Sequence, residues 1–243
     1  AELGSSDAMN TLGYMYDHGE GVEQDHGRAR TWFLEAASLG HSDSMVSLGY
    51  QYDKGRGVEQ DHVQALVWYR KAALDDNPMA LHNIGYFYRE GVVVPRDYAQ
   101  AMRWYRKAAD VGSAKGAFAI GSMYESGQGV EVDYEQAMEW YRKAAERGSG
   151  GAMRGIGYLF EMGLGVEVDV EQALIWYRKA ADAGDAIGTA NVASIYQRGL
   201  GVKKDLAEAR RWYAKAADLG DAEAMFRLGQ FYENGTGVEP SAE

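Results

Sequence analysis

The sequence predicts an all-α solenoid of about six and a half helix–turn–helix repeats, and three observations predict it. All six tryptophans (Trp32, Trp68, Trp104, Trp140, Trp176 and Trp212) stand 36 residues apart. An aspartate series (Asp25, Asp61, Asp97, Asp133, Asp169, Asp205) and a glycine series (Gly19, Gly55, Gly91, Gly127, Gly163, Gly199, Gly235) keep the same interval, in phase with the tryptophans. Inside each interval, apolar residues recur at helical spacing in two blocks separated by a Gly-x-Gly-Val loop. A sustained period of this size marks stacked repeats, because one unit cannot bury its apolar face alone. No insertion or deletion breaks the register, so the chain reads as one array over 1–243. Its repeats fall near 5–40, 41–76, 77–112, 113–148, 149–184 and 185–220, with a half repeat at 221–238.

The second copy shows how each element is encoded. His41 precedes the first helix. Its counterparts Ser5, Asn77, Ser113, Ser149, Asp185 and Asp221 are good N-caps, able to accept from free amides of the first turn. Pro78 after Asn77 suits the first helical position. Ser44, Leu48 and Tyr52 lie one turn apart and form an apolar face. Gly49 removes a side chain where the paired helix is expected to approach, and Gly55 supplies a left-handed stop. After the loop, Asp61 caps the second helix and Gln64 stands three residues on, as in a capping box. Asp97/Gln100, Asp133/Gln136, Asp169/Gln172 and Asp205/Glu208 repeat that pair, and Arg28 departs from it. Ala65, Trp68, Tyr69, Ala72 and Ala73 are read as the inner face of the second helix. A buried Trp there is worth about 3–5 kcal/mol on truncation to Ala.

Composition limits what the array can do. Net charge is -11, and nucleic-acid binding needs a basic surface, so that partner is excluded from the reading. An acidic chain gains nothing at an anionic membrane surface, and no apolar run is long enough for a membrane span. Ala1-Glu2-Leu3-Gly4 does not read as a signal peptide. The chain has no cysteine, hence no disulfide, thiolate metal site or thiol nucleophile. His26 and His62 occupy equivalent positions beside capping aspartates, the nearest approach to ligand spacing, but they are first-turn residues on a helix end and no metal is expected. The Gly-x-Gly-Val loops join helices and do not follow strands, so they are not dinucleotide sites. No Ser–His–Asp set and no carboxylate pair stands out. The chain is therefore expected to be no enzyme and to carry no cofactor.

The pattern L-G-x-x-Y-x-x-G-x-G-V-x-x-D-x-x-x-A-x-x-W-Y-x-K-A-A, nearly complete from Leu48 to Ala73, resembles the Sel1-like repeat, a relative of the tetratricopeptide repeat. The resemblance runs from Ser5 to Val238. It implies antiparallel helix pairs in a right-handed α-α superhelix and adaptor or scaffold roles in protein assemblies. It also implies a bacterial protein, with a lean towards export or the periplasm. One subgroup has a disulfide in each repeat, which a chain without cysteine does not share. Ala193 for Gly, Phe160 and Phe33 for Tyr, and Val93 for the second loop Gly depart from the pattern.

Between the fourth and fifth copies the loop and second helix are nearly identical, whereas the first helix differs at most positions. By the resemblance, that variable helix lines the concave side. On its wheel, positions matching Ser44, Leu48 and Tyr52 are expected to pack inward, and those matching Asp43, Val46, Tyr50, Asp53 and Lys54 to face the concavity. One outward column reads Tyr14, Tyr50, Tyr86, Ser122, Tyr158, Ser194, Gln230. The next reads Asn10, Val46, His82, Phe118, Arg154, Ala190, Phe226. Exposed aromatics and arginines are typical interface anchors. The expected partner-binding residues are Tyr14, Val46, Tyr50, Lys54, His82, Tyr86, Arg89, Phe118, Glu125, Arg154, Tyr158 and Phe226, and the expected partner is a protein or peptide. Acidic residues (Asp7, Asp17, Asp43, Asp53, Glu90, Glu125, Glu161, Glu223, Glu233) outnumber Lys54, Arg89, Lys115, Arg154 and Arg198 on this face, which favours a partner with basic character. The half repeat, with Leu228, Phe231 and Tyr232, motivates a second reading, end-to-end self-association as a structural scaffold.

Overall fold

The structure, a computed structural model, describes residues 4–233 of the 243. The start at Ala1–Leu3, the loop glycine Gly235 and the step Gly237-Val238 lie outside the described residues. Among the described residues there are thirteen α-helices and no strand. The first helices of the repeats are α1 (Ser6–His18), α3 (Ser42–Lys54), α5 (Pro78–Glu90), α7 (Ala114–Ser126), α9 (Gly150–Met162), α11 (Ala186–Arg198) and α13 (Ala222–Glu233). The second helices are α2 (His26–Ser38), α4 (His62–Ala72), α6 (Tyr98–Asp110), α8 (Tyr134–Ala145), α10 (Val170–Asp182) and α12 (Leu206–Asp218). Consecutive helices pair within repeats, which makes the fold an all-α solenoid. Two compact units divide it, residues 1–116 and 117–243.

Each second helix starts where its aspartate caps it. The Asp61 carboxylate accepts from the Gln64 amide at 3.0 Å, and Asp25, Asp97, Asp133, Asp169 and Asp205 each accept from the amide three residues on at 2.9 Å. The reciprocal half of the expected capping box is missing for a physical reason. The Asp61 amide already donates to the Tyr52 carbonyl at 2.9 Å, and each of the other five aspartates bonds the matching carbonyl of its own first helix. Gln64 therefore has no amide left to cap. At the first helices two expectations change places. Ser5 makes no side-chain cap bond, whereas His41, the poor candidate, caps α3 by accepting from the Ser44 amide at 3.2 Å through Nδ1. A ring nitrogen without its proton is as good an acceptor as a hydroxyl oxygen.

The pair interface rests on a glycine facing a ring. A Cβ on Gly49 would lie 2.5 Å from the Tyr69 ring, and the same close fit joins Gly13 to Phe33 and Gly85 to Tyr105 in the first unit. In the second unit it joins Gly121 to Tyr141 and Gly157 to Tyr177. These rings are all buried, so the residue after each tryptophan is the true core aromatic. The tryptophans themselves are only half-buried, which corrects the expectation that Trp68 lies on the inner face. They sit one position round the helix, where Trp68, Trp104 and Trp212 pack against the edges of core clusters and a lysine three residues on covers the ring. Lys71, Lys107, Lys143, Lys179 and Lys215 hold their ammonium groups 4.0–4.8 Å from the Trp68, Trp104, Trp140, Trp176 and Trp212 rings. Trp32 has Glu35 at that place.

Candidate binding face on the first helices

In the first unit the tyrosine column stands out of the surface. Tyr14, Tyr50 and Tyr86 are 47%, 38% and 40% exposed. Each ring has a basic side chain beside it. His18 stacks on Tyr14 at 3.9 Å between centroids, and the Arg56 and Arg89 guanidinium carbons lie 5.1 and 5.6 Å from the Tyr50 and Tyr86 centroids. Spacing of one helix turn, or a short loop, brings these pairs together. A groove runs beside the first two tyrosines, with Phe33 and Val46 among its apolar walls and Met79, Asn83, Asp17 and Arg56 also lining it. Lys54 bonds Asp53 at 2.9 Å, and that hydrogen bond raises the lysine pKa against the opposing effect of burial. In the second unit the same column exposes Tyr158, while Ser122, Ser194 and Gln230 are half-buried.

The second column is not the solvent-facing stripe that the helical wheel suggested. Val46 is buried and packs in a core cluster with Leu66, Tyr69 and Phe87. His82 is half-buried, 5.5 Å from the Tyr105 ring. In the second unit Phe118 stacks on Tyr141 at 5.6 Å, Arg154 Nε donates to Asp185 at 3.1 Å, and Ala190 is half-buried. Asn10 accepts from Ser44 Oγ at 2.8 Å. The wheel was correct about angle but ignored the next repeat, whose first helix covers this flank. Phe226, on α13, is 60% exposed.

The acidic residues are also less available than their number suggested. Asp17 and Asp53 are buried rather than outward-facing. His26 Nδ1 donates to Asp17 at 2.9 Å and His62 Nδ1 to Asp53 at 3.0 Å, while Gln51 Nε2 adds a bond to Asp17 at 3.2 Å. The two histidines singled out by their equivalence thus brace the repeat. Their spacing from the acid, nine residues in both copies, was the signal in the sequence. Further along, Glu125 accepts from the Tyr141 hydroxyl, Glu161 from that of Tyr177 at 2.8 Å, and Gln197 from that of Tyr213 at 2.8 Å. Burial, with Glu125 and Glu161 beside them, pushes the Tyr141 and Tyr177 hydroxyls well above the usual phenol range. Glu161 also pairs with Arg198, and Arg89 with Glu90 at 2.7 Å.

Among the described residues, no group of three or more His, Asp or Glu side chains is placed to hold a metal ion. No described helix is long and apolar enough to cross a membrane. The profile of the Sel1 repeat matches residues 6–41, 42–77, 78–113, 114–149, 151–185, 186–221 and 222–243. Among solved structures, the chain is 40% identical to a protective antigen of uropathogenic Escherichia coli described as having an SLR fold, with a TM-score of 0.78 over 98% of this chain and 52% of that one. It therefore spans about half the length of that protein. It is 36% identical to a Sel1 repeat protein from Oxalobacter formigenes, with a TM-score of 0.83 over 89% of each chain. It shares its fold with an immunity protein from Pseudomonas aeruginosa, at 20% identity and a TM-score of 0.64 over 88% of this chain and 81% of that one. No curated protein matches.

Proposed function

The chain belongs to the Sel1 repeat family, and we propose that it is a scaffold that binds a protein or peptide along the first-helix face. Sel1 repeats form a tetratricopeptide-like fold commonly used as a protein-interaction scaffold and typically without enzymatic activity. The observation that carries the proposal is the column Tyr14, Tyr50 and Tyr86. Three large rings held at the surface by repeats that bury the core aromatics Phe33, Tyr69 and Tyr105 are more than packing needs. Tyrosine offers a rigid, amphipathic contact at low entropic cost, which makes it a frequent anchor at interfaces. Lys54 and Arg89 lie beside the rings and would select among partners, while Tyr158 and Glu125 are the counterparts in the second unit. Val46, His82, Phe118 and Arg154 support this face from the seam between repeats.

The test is capture from extract by the wild-type chain beside a Tyr14→Ser, Tyr50→Ser, Tyr86→Ser variant. Half-exposed positions change without opening the core, so circular dichroism and Tm are expected to stay close to wild type. A partner held by the wild type and lost by the folded variant supports the face, and equal retention by both rejects it. A second reading, self-association, draws on α13, where Met225, Phe226 and Tyr232 are exposed and a Cβ on Gly229 would meet nothing within 4 Å. Sedimentation velocity over a concentration series decides it: a constant monomer mass rules it out.

A further inference from the structure

The hydroxyl of the core tyrosine has an acceptor in the fourth, fifth and sixth repeats and a polar side chain beside it in the second, but no partner in the third. Tyr141, Tyr177 and Tyr213 donate to Glu125, Glu161 and Gln197, each sixteen residues earlier on the first helix. In the second repeat Asn83 lies beside the Tyr69 hydroxyl, and in the first repeat the ring is Phe33, which has none. In the third repeat the residue sixteen before Tyr105 is Arg89, which has no acceptor to offer. Tyr105 Oη is buried with no hydrogen-bond partner. An orphaned buried hydroxyl is destabilising, so its persistence asks for an acceptor from elsewhere.

We infer that this acceptor is a carboxylate on an acidic side chain of the bound partner, received jointly by Tyr105 Oη and Arg89. The inference rests on the first-helix face being the binding surface and specifies the chemistry of its third repeat. The surroundings suit an anion. Burial lowers the pKa of the half-buried His82 imidazole, and the nearby Lys115 and Arg89 charges push it the same way. Lys115 is exposed and makes no ion pair among the described residues. Glu90, which bonds Arg89 Nε, is the competing anion that a partner carboxylate displaces as the flexible guanidinium swings aside. The fourth and fifth repeats show the product of that exchange in cis, a glutamate under the tyrosine hydroxyl. The expectation from the acidic excess on this face, a basic partner, is thereby reversed at this one position.

The experiment titrates the chain, observed by amide and side-chain NMR, with two acetylated and amidated pentapeptides, Ala-Ala-Glu-Ala-Ala and its Gln counterpart. The expected result is perturbation of Arg89, Tyr105 and Lys115 by the Glu peptide with at least about tenfold preference over Gln, weakening with added salt. Tyr105→Phe removes only the unpaired hydroxyl, so it folds at least as stably as wild type and loses the preference. R89E supplies the missing carboxylate from within, so it raises Tm and abolishes the response. Equal response to the two peptides, none at millimolar Glu peptide, an unchanged preference in Tyr105→Phe, or an R89E variant with no rise in Tm each overturns the inference. If the inference fails while the tyrosine-column variant still loses its partner, the scaffold reading stands. If that variant keeps its partner, the scaffold reading itself has failed.

Discussion

Val93 holds a φ of 66°, a left-handed backbone that β-branched residues rarely adopt. It stands where Gly57, Gly129, Gly165 and Gly201 take the same conformation in other repeats, so the loop geometry is imposed on it by the repeat. Val92 and Val94 on either side pack onto the core and hold the segment in place. Val93→Gly is expected to raise stability by about 1 kcal/mol, the left-handed penalty less the entropy a glycine adds to the unfolded chain. Urea unfolding measures it, and a less stable variant would show that the strain is imaginary. The buried hydroxyls give a second test at this scale. Burial pushes Tyr105 up to about 12, with Glu90 also raising it and Arg89 opposing. An unfolded tyrosine loses its proton near about 10. Above that pH the unfolded chain holds fewer protons than the folded one. Stability therefore falls between pH 10 and 12 by about 1.4 kcal/mol per pH unit for this group alone. Tyr69, Tyr141, Tyr177 and Tyr213 are shifted the same way and steepen the fall. Unfolding curves at stepped alkaline pH should show that loss, and a flat profile to pH 12 would contradict it.

The elements themselves were largely legible in the sequence. Helix starts, left-handed glycine ends and the glycine cradle for the paired helix all followed from short-range chemistry that one copy contains in full. The errors came from what one copy does not contain. The Trp68 and Tyr69 pair looked alike on a helical wheel, and only the position of the facing glycine decides which ring enters the core. Val46 and Phe118 looked exposed because their cover comes from the next repeat. The Asp61 and Gln64 pair looked like a reciprocal box, but the aspartate amide was already bonded to the Tyr52 carbonyl. That bond makes the two halves of the motif unequal. Asp97→Ala is expected to cost about 1 kcal/mol through the lost cap, whereas Gln100→Ala should change stability by less than about 0.5 kcal/mol. Equal losses in thermal unfolding would mean that the box is reciprocal after all.

At the scale of the whole chain, what was legible of the candidate site was its location, more than its members. The variable first helices and their tyrosine column could be found by comparing copies, but the acid count on that face could not be converted into charge. Asp17 and Asp53 are consumed by histidines, and Glu125 and Glu161 by tyrosines. Each repeat contacts its neighbours in sequence, so a local lesson should stay local. Tyr177→Ala is expected to lower amide hydrogen-exchange protection in α9 to α12 well before α1 to α4; uniform loss along the chain would argue for a single cooperative unit. The bond from each capping aspartate amide to the first-helix carbonyl nine residues earlier has one more consequence. It closes the loop between the two helices of each copy into a ring of set circumference, so the start of each second helix is metrically fixed to its first helix while the side chains on the first helices are free to change. Such a chain can alter what it recognises by rewriting letters on a ruler whose graduations do not move, and a residue inserted in a loop would disturb the ruler before it altered any letter.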